Sequence, residues 1–244
     1  MQHYFLDQPL KVGQKVSLPS DISKHWIRVM RATVASKAEF VSSDNQLYIG
    51  ELFNENEATV KILSESETDV EMPVKVTIVC GLPKSGKAEL IVQKATELGV
   101  TRIIFVPTAW SVAKWNSKAA KKVQRLQKIA KSAAEQSHRN VVPKIEYLNG
   151  LNQLKEIKAD QRIVAYEESA KQGETSKLVQ VLSKLKPHQS LLAFFGPEGG
   201  ISPDEIQQFE KWQYQLVGLG PRILRTETAP LYFLSAVSVI SELK

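Results

Sequence analysis

LLAFFGPEGGISP, residues 191–203, runs from an apolar segment into a glycine-rich turn, and SPDE at residues 202–205 then predicts the start of a helix. A second segment, LVGLGPRILRTETAP at residues 216–230, repeats the order of apolar run, glycine-rich turn and helix. In an open α/β sheet, small ligands bind at the carboxyl ends of the strands, where such turns expose backbone groups. The two turns therefore predict one ligand pocket with two walls.

The chain from Val74 onwards alternates apolar strand segments with helical segments. The predicted strands cover residues 76–80, 100–106, 162–166, 191–195 and 215–217. The predicted helices cover residues 87–98, a long stretch that Ser117 would cap, the segment after Ser202, and about 231–243. Strands separated by helices imply a mostly parallel sheet with helices on both faces. The fold class is therefore α/β.

Residues 1–70 have a different pattern. Short alternating or β-branched segments are separated by polar turns, and only residues 25–31 resemble a helix. These features predict a small β-barrel. Residues 64–71 are acidic and polar, and Pro73 follows them, so we place the domain boundary there. The predicted domains are residues 1–70 and 74–244.

Composition and charge limit the function classes. Hydrophobic residues make up 43% of the 244-residue chain and Cys80 is the only cysteine, so an intrachain disulfide is excluded. We find no signal peptide and no apolar run of membrane-spanning length, which predicts a cytoplasmic protein without membrane contact. The net charge is +6, and no acidic residue occurs between Glu97 and Glu135. This basic interval predicts a nucleic-acid partner; the alternative is an ordinary solvated helix face.

Two site classes receive little support. Residues 81–88 imitate a phosphate-binding P-loop, but Ala88 stands where the motif needs a hydroxyl for magnesium, and Pro83 lacks a backbone N–H. We interpret this segment as a basic strand-to-helix loop. The histidines are scattered without ligand spacing, and no cysteine pair occurs, so we predict no metal. These histidines are His3, His25, His138 and His188.

Four motifs carry a resemblance to a known family: residues 94–100 (KATELGV), 134–139 (AEQSHR), 196–200 (GPEGG) and 219–229 (LGPRILRTETA). Read together, they resemble the SPOUT class of RNA methyltransferases and, more narrowly, the ribosomal RNA small subunit methyltransferase E family. The match runs over essentially the full length, and the last motif is long and distinctive. At His3 and Trp110 the chain departs from the family, which often has arginine there.

The resemblance implies a fold, a cofactor and partners. Residues 1–70 should form a PUA-like RNA-binding β-barrel, and residues 74–244 a SPOUT domain whose parallel sheet contains a deep C-terminal trefoil knot. The family works as a homodimer and binds S-adenosylmethionine in the knot. It methylates N3 of a specific uridine in 16S rRNA of the small ribosomal subunit. The implied cofactor-binding residues are Phe195, Gly196, Pro197, Glu198, Gly199, Gly200, Leu219, Gly220, Ile223, Leu224, Thr228 and Ala229.

The transfer must remove a proton from uridine N3, and a nearby cation could stabilise the anionic uracil. Arg225 is the first candidate and Arg222 the second, while Glu198 or Glu227 could act as the base or orient an arginine. A structural ion pair between Glu227 and Arg225 is the alternative. The candidate RNA-binding residues are Arg28, Arg31, Lys84, Lys121, Lys122, Arg125 and Arg139. A non-catalytic RNA-binding or ribosome-assembly factor with the same fold is the alternative function.

Overall fold

The computed structural model describes residues 1–84, 86–167 and 177–243, and these residues divide into two compact units. The first unit comprises Met1–Glu71 together with Ala134–Val141. The second comprises Met72–Ala133 and Val142–Lys244. Residues 134–141 therefore pack with the first unit, whereas the sequence analysis assigned them to the second domain. No contiguous boundary in the chain could have indicated this exchange.

The first unit is built on a five-stranded mixed sheet with the order β1-β3-β4-β5-β2. β1 and β3 pair in parallel, and the other neighbours are antiparallel. A short helix α1 (Ser20–Ser23) continues into a π-helical turn, Lys24–Val29, which buries Trp26. The strands are β1 (Gln2–Phe5), β2 (Lys15–Ser17), β3 (Lys37–Val41), β4 (Leu47–Asn54) and β5 (Thr59–Ser66).

The second unit contains a six-stranded sheet in which every neighbouring pair is parallel. Its order is β11-β9-β10-β6-β7-β8, so β10 lies at the centre with β9 and β6 on its two sides. This confirms the predicted α/β class with a parallel sheet. The strands are β6 (Lys75–Gly81), β7 (Arg102–Val106), β8 (Lys144–Tyr147), β9 (Gln161–Ala165), β10 (Ser190–Phe195) and β11 (Gln215–Val217).

Apolar residues of this sheet alternate between two cores because successive side chains of a strand point to opposite faces. In β10, Leu191, Ala193 and Phe195 join one core, while Leu192 and Phe194 join the other. Among the described residues, four helices cover the first core, whereas the helix Pro203–Lys211 and a 3₁₀ segment, Leu151–Glu156, cover the second. The helices are α2 (Lys87–Glu97), α3 (Ala119–Gln136), α4 (Lys177–Lys184), α5 (Pro203–Lys211) and α6 (Thr228–Glu242).

Several local predictions can be compared with the helix ends and strands of the structure. The helix at Ser202 begins with the predicted capping box and proline, and Gly99 ends α2 with a φ of +84°. The prediction that Ser117 caps α3 is wrong, since Ser117 lies inside a 3₁₀ turn, Asn116–Lys118, that precedes the helix. The sequence analysis also missed β1, β3, β8 and α4. Within the described residues, no helix has the length and apolar character needed to cross a membrane.

Candidate active site

A cavity of about 830 Å³ opens where β9, β10 and β11 reach their carboxyl ends. Two loops form its walls: loop A, residues 196–202, follows β10, and loop B, residues 218–227, follows β11. The structure thus brings together the two glycine-rich turns of the sequence. The predicted residues that line the cavity are Phe195, Gly196, Pro197, Glu198, Gly199, Gly200, Leu219, Gly220, Arg222, Ile223, Leu224, Arg225 and Ala229.

Thr228 is the exception among the predicted cofactor-binding residues. It is exposed, begins α6 and does not line the cavity. Its backbone N–H donates to the carbonyl of Arg225 over 2.8 Å, and the N–H of Ala229 donates to the same oxygen over 3.0 Å. Thr228 therefore helps to start the helix, and its place in the cofactor site stays a prediction. A motif identifies a segment, but not which of its side chains face the cavity.

Loop A is held by packing that only glycine permits at two positions. A Cβ on Gly199 would lie 2.8 Å from the backbone oxygen of Trp110, and one on Gly196 would lie 2.8 Å from Cγ1 of Ile201. The resemblance implies that both glycines contact the cofactor. The structure gives a nearer reason for glycine: both positions are in contact with the protein itself. Gly200 has a φ of +81°, a conformation that disfavours any residue with a side chain.

The far end of loop A is fixed by hydrogen bonds at the start of α5. The backbone N–H of Glu205 donates to Oγ of Ser202 over 3.3 Å, and the N–H of Ser202 donates to the Glu205 carboxylate over 3.0 Å. The other carboxylate oxygen of Glu205 accepts the N–H of Ala109 over 2.8 Å. Loop A is therefore tied both to α5 and to the segment that carries Trp110. These bonds fix the position of this wall of the cavity.

Loop B presents more of its side chains to solvent. Ile223 is 74% exposed, and Arg222 and Arg225 are also exposed, while Thr226 is buried. Within the part of the chain that the structure describes, neither guanidinium forms a salt bridge or a side-chain hydrogen bond. Both arginines line the cavity. Loop B therefore offers two cations that can interact with a negatively charged ligand.

Lys87 joins the two loops at the cavity edge. Its Nζ lies 3.0 Å from a carboxylate oxygen of Glu198 in loop A and 2.8 Å from one of Glu227 in loop B. The Glu198 carboxylate also accepts the backbone N–H of Lys84 over 3.1 Å. Glu227 therefore pairs with Lys87, not with Arg225 as the structural alternative had it. The lysine of the P-loop-like segment holds protein carboxylates, which agrees with our interpretation that this segment is not a phosphate loop.

These ion pairs determine the charge states of the three groups. The hydrogen bonds that the Lys87 ammonium donates to Glu227 and Glu198 raise the pKa of Lys87. The Lys87 ammonium lowers the pKa of the Glu227 carboxyl. Burial alone would raise the pKa of Glu198, but the bonds from Lys87 and the Lys84 N–H outweigh burial and lower it. Both carboxylates are therefore ionised at neutral pH and are weak proton acceptors.

The cavity also includes residues that the sequence analysis missed. Ala165, Tyr166 and Glu167 lie at the end of β9, so the strand-end rule applied to the other two strands would have found them. Lys87 and Trp110 come from distant segments and carried no local signal. The remaining residues missed are Ile201, Pro203, Pro221 and Thr226.

Most of the candidate RNA-binding residues are solvent-accessible. Arg28 and Arg31 are exposed in the first unit, and Lys84 is exposed in the second. We define the basic face of α3 as Lys121, Lys122 and Arg125. Lys121 is exposed, Nζ of Lys122 lies 5.3 Å from the centre of the buried Trp115 ring, and Arg125 forms a salt bridge with Glu89. A second cavity of about 520 Å³ lies beside this face and is lined by Lys84, Lys122 and Arg125.

Arg139 is corrected. Its residue is only 3% exposed, and its guanidinium forms a salt bridge with Glu71, to which Nε donates over 3.2 Å. The same carboxylate accepts the backbone N–H groups of Asn140 and Val141. Arg139 therefore stabilises the first unit from inside and is not available to contact a phosphate. A basic residue in a family motif gave no indication of its burial.

Comparison with known proteins agrees with this geometry. A family model for the RNA methyltransferase domain matches residues 70–238. The ribosomal RNA small subunit methyltransferase E of Bacillus subtilis is 41% identical over 251 aligned positions, which cover 100% of this chain and 98% of that protein. The chain belongs to the ribosomal RNA small subunit methyltransferase E family. It is thus an RNA methyltransferase by family, as the four motifs predicted.

Solved structures are similar over nearly the whole chain. A family member from Neisseria gonorrhoeae bound to S-adenosyl methionine has a TM-score of 0.84 and 30% identity, covering 98% of each chain. A Legionella pneumophila methyltransferase structure in complex with the same cofactor has a TM-score of 0.83 and 26% identity, covering 97% of this chain and 96% of that one. Both neighbours thus combine this fold with that ligand.

Proposed function

We propose that this protein transfers a methyl group from S-adenosylmethionine to N3 of a uridine in 16S rRNA of the small ribosomal subunit. The observation that carries the proposal is the cavity between loops A and B, which combines a wall fixed by packing and hydrogen bonds with a wall that bears two arginines without a salt bridge among the described residues. Family membership supports RNA methylation, and the relatives supply the small-subunit substrate by name. The choice of uridine N3 rests on the resemblance and on the chemistry below.

The residues of the cavity fit the cofactor. A volume of about 830 Å³ is within the range of pockets that hold molecules of this size. Apolar surface for the adenine ring is offered by Leu219, Leu224 and Phe195. Gly220, which has a positive φ, carries no side chain, so the backbone of loop B is uncovered at this wall. When bound, S-adenosylmethionine supplies the methyl group on its positively charged sulfonium.

The protein's contribution to transfer is positioning and charge. Uridine N3 carries a proton at neutral pH, so the reacting base must become anionic before or during transfer. A guanidinium close to the base stabilises such an anion. Among the described residues, Arg225 and Arg222 form no salt bridge, although the charge of Arg225 contributes to the lowered pKa of Glu227. We assign Arg225 the first place, because its carbonyl is fixed at the start of α6 and its backbone is therefore the better positioned of the two.

Glu198 and Glu227 are assigned a positioning role. Both are bonded to Lys87, and their lowered pKa values make them weak bases at neutral pH. Through Lys87 they connect loop A, loop B and the first turn of α2. The geometry thus favours a role for Glu198 in aligning the cavity walls. It does not favour Glu198 as the group that removes the uridine proton.

RNA binding is assigned to both units. The five-stranded sheet of the first unit supports a PUA-like domain over residues 1–70, with Arg28 and Arg31 exposed on its surface. In the second unit, Lys84 and the basic face of α3 would contact phosphates. Affinity for RNA would then depend on the salt concentration, because each phosphate contact releases counterions.

Two further features belong to the proposal. The chain crosses from β10 past β9 to the edge strand β11 and then returns through loop B to α6, which packs in the same core as α2. This path supports a trefoil knot in the SPOUT domain, residues 74–244. Tyr232 and Val239 are exposed apolar residues of α6, and Ile223 is exposed in loop B. A second copy of the chain would cover them, which supports a homodimer. The proposed cytoplasmic location rests on the single cysteine of the sequence.

Transfer of labelled methyl from S-adenosylmethionine to small ribosomal subunits that lack the modification tests the proposal. The nucleosides are then identified by mass spectrometry, and we expect N3-methyluridine. A different methylated nucleoside would contradict the choice of uridine N3 and leave the cofactor assignment standing. Binding of RNA without any binding of S-adenosylmethionine would favour the non-catalytic RNA-binding factor.

A further inference from the structure

Three side chains from distant parts of the sequence meet in the first unit. His3 lies in β1 and is the Cα partner of Glu39 in the parallel pairing with β3. His138 follows the end of α3 and reaches the same carboxylate. Nδ1 of His3 lies 2.9 Å from Oε2 of Glu39, and Nδ1 of His138 lies 2.6 Å from the same oxygen. The three potential ligand atoms lie within 4.8 Å of one another.

The hydrogen bonds of His3 determine which of its nitrogens is free. Nε2 lies 2.9 Å from the carbonyl oxygen of Arg139, and a carbonyl can only accept, so Nε2 carries the hydrogen. In a neutral imidazole, Nδ1 then carries a lone pair and can only accept a hydrogen bond. It faces an ionised carboxylate, which is also an acceptor. Something positive must lie between the two acceptors, either a second proton or a metal ion.

We propose that His3, Glu39 and His138 bind a divalent transition-metal ion of the zinc class. Two imidazoles and one carboxylate are a donor set that zinc accepts, and a protein-bound histidine ligand ordinarily donates its other N–H to a carbonyl or carboxylate. His3 makes that second bond to Arg139. Ligand atoms of a tetrahedral zinc site are roughly 3.4 Å apart for bonds of about 2.1 Å, so the cluster needs only small side-chain shifts to close around the ion.

The burial of His3 favours a metal over a second proton. Without a metal, His3 would need a proton on Nδ1 as well as on Nε2, which would place an imidazolium charge on a residue that is only 3% exposed, and burying a charge is costly. His138 adds no such cost, because it can donate Nδ1–H to Glu39 as a neutral imidazole. The side chain of His138 is 44% exposed, which leaves an open side for entry of the ion and for a water as fourth ligand. The ion would join the end of α3 to the sheet of the first unit.

The backbone of His138 supports the same assignment. Its φ is +56°, the left-handed conformation in which a helix end ordinarily has glycine or asparagine. The carbonyl of Glu135 accepts its N–H over 3.4 Å, so the residue closes the last turn after α3. This turn directs the imidazole onto Glu39. The left-handed turn therefore provides the geometry that brings the third side chain to the other two.

Titration of the full-length chain with Zn²⁺ tests the proposal. After removal of metals with a chelator, Zn²⁺ is added in competition with a coloured indicator, and Co²⁺ is used to report ligand geometry by visible absorption. We expect one equivalent of Zn²⁺ per chain and a Co²⁺ spectrum of a low-coordinate site. His138→Ala should weaken Zn²⁺ binding by at least about tenfold, since it removes one of three protein ligands, and should lose the Co²⁺ band.

Two further variants make the result specific. His188→Ala removes an exposed histidine of the second unit and should bind Zn²⁺ like the parent chain. Glu39→Gln removes the ionised ligand with little change of shape and should weaken binding as His138→Ala does. A parent chain that binds no Zn²⁺, or a His138→Ala chain that binds it as tightly as the parent, would overturn the proposal and leave the cluster as a proton-sharing hydrogen-bond network.

Discussion

The cavity and the basic face of α3 both carry positive charge, but they hold it in different ways. At the cavity edge, Lys87 is fixed between Glu198 and Glu227, and the arginines of loop B lie over a wall that packed glycines hold in position. On α3, Lys121 is exposed, and each of the other two cations has one partner. Catalysis in the cavity should therefore depend on where each side chain is held, whereas RNA binding on the helix should depend on the total charge.

This difference gives an expectation for mutagenesis. A site that works by positioning should lose function through single substitutions that shift it by an ångström. A surface that works by charge should lose affinity gradually, one phosphate contact at a time, and in a salt-dependent way. Substitutions in the two regions can therefore contradict or sharpen the comparison.

The largest effect is expected from Gly199→Ala. The new Cβ would lie 2.8 Å from the backbone oxygen of Trp110. Loop A would have to shift to relieve this overlap. We expect methyl transfer to fall to background and S-adenosylmethionine binding to weaken, both measured with the purified chain. Gly150→Ala is the matched control, because a Cβ there meets nothing within 4 Å. If Gly199→Ala kept normal transfer, loop A would not be a wall of the active site.

Arg225→Ala should reduce the rate of transfer by about 100-fold, the loss that follows removal of one donor to a developing anion. Its affinity for S-adenosylmethionine should stay close to that of the parent, because the guanidinium acts on the uracil. Single-turnover kinetics with saturating cofactor separate the two quantities. Arg225→Lys keeps the charge and should recover part of the rate. An unchanged single-turnover rate in Arg225→Ala would transfer the role to Arg222.

The sequence allowed the cavity to be predicted because its walls are local segments. Each glycine-rich turn follows an apolar strand, and parallel strands bring their carboxyl ends to one edge. Lys87 is different: its partners lie more than a hundred residues away, and its own segment resembles a phosphate loop. Arg139 shows the same limit, since a motif fixes a residue type but not whether its side chain is buried.

The first unit was harder to predict from the sequence. β1 and β3 are short, and their pairing joins residues far apart in the chain, so local alternation gave no signal. The cluster of His3, Glu39 and His138 depends on that pairing and on the return of residues 134–141 to the first unit. Spacing along the chain therefore indicated no metal ligands. Only the tertiary structure brings the three side chains together.

Lys87→Met tests whether the ion pairs hold the two loops together. It removes the cation between two partly buried carboxylates, so we expect a loss of about 1–2 kcal/mol in the free energy of unfolding at pH 7. Lys94→Met is the matched control on the same helix: its pair with Glu97 is more exposed, and its loss should stay below about 0.5 kcal/mol. Urea titrations measure both differences.

The pH dependence of this difference follows from the pKa shifts. Glu198 and Glu227 have lowered pKa values in the folded chain, so their stabilisation is present above the ordinary value of 4.5 and is lost as the pH falls through the folded values. Lys87 has a raised pKa, so its contribution is present below 10.5 and is lost as the pH rises through the folded value. The difference in the free energy of unfolding between the parent chain and Lys87→Met should therefore become smaller below pH 4.5. A difference that is unchanged at pH 3 would contradict the ion-pair explanation.

The smallest single effects are expected on α3. Lys121→Ala should weaken binding to small-subunit RNA a few-fold and reduce the slope of log affinity against log salt by about 1. Lys122→Ala and Arg125→Ala should change both the affinity and the slope less, because Lys122 already contacts Trp115 and Arg125 already pairs with Glu89. Reversal of all three charges changes the charge by two at each site, so it should weaken RNA binding by more than the sum of the three alanine effects, with cofactor affinity unchanged. Lys186→Ala, an exposed lysine outside the basic interval, is the control. RNA affinity that is unchanged by the triple reversal would make the basic face an ordinary solvated surface, and substrate binding in the second unit would then rest on Lys84 and the cavity.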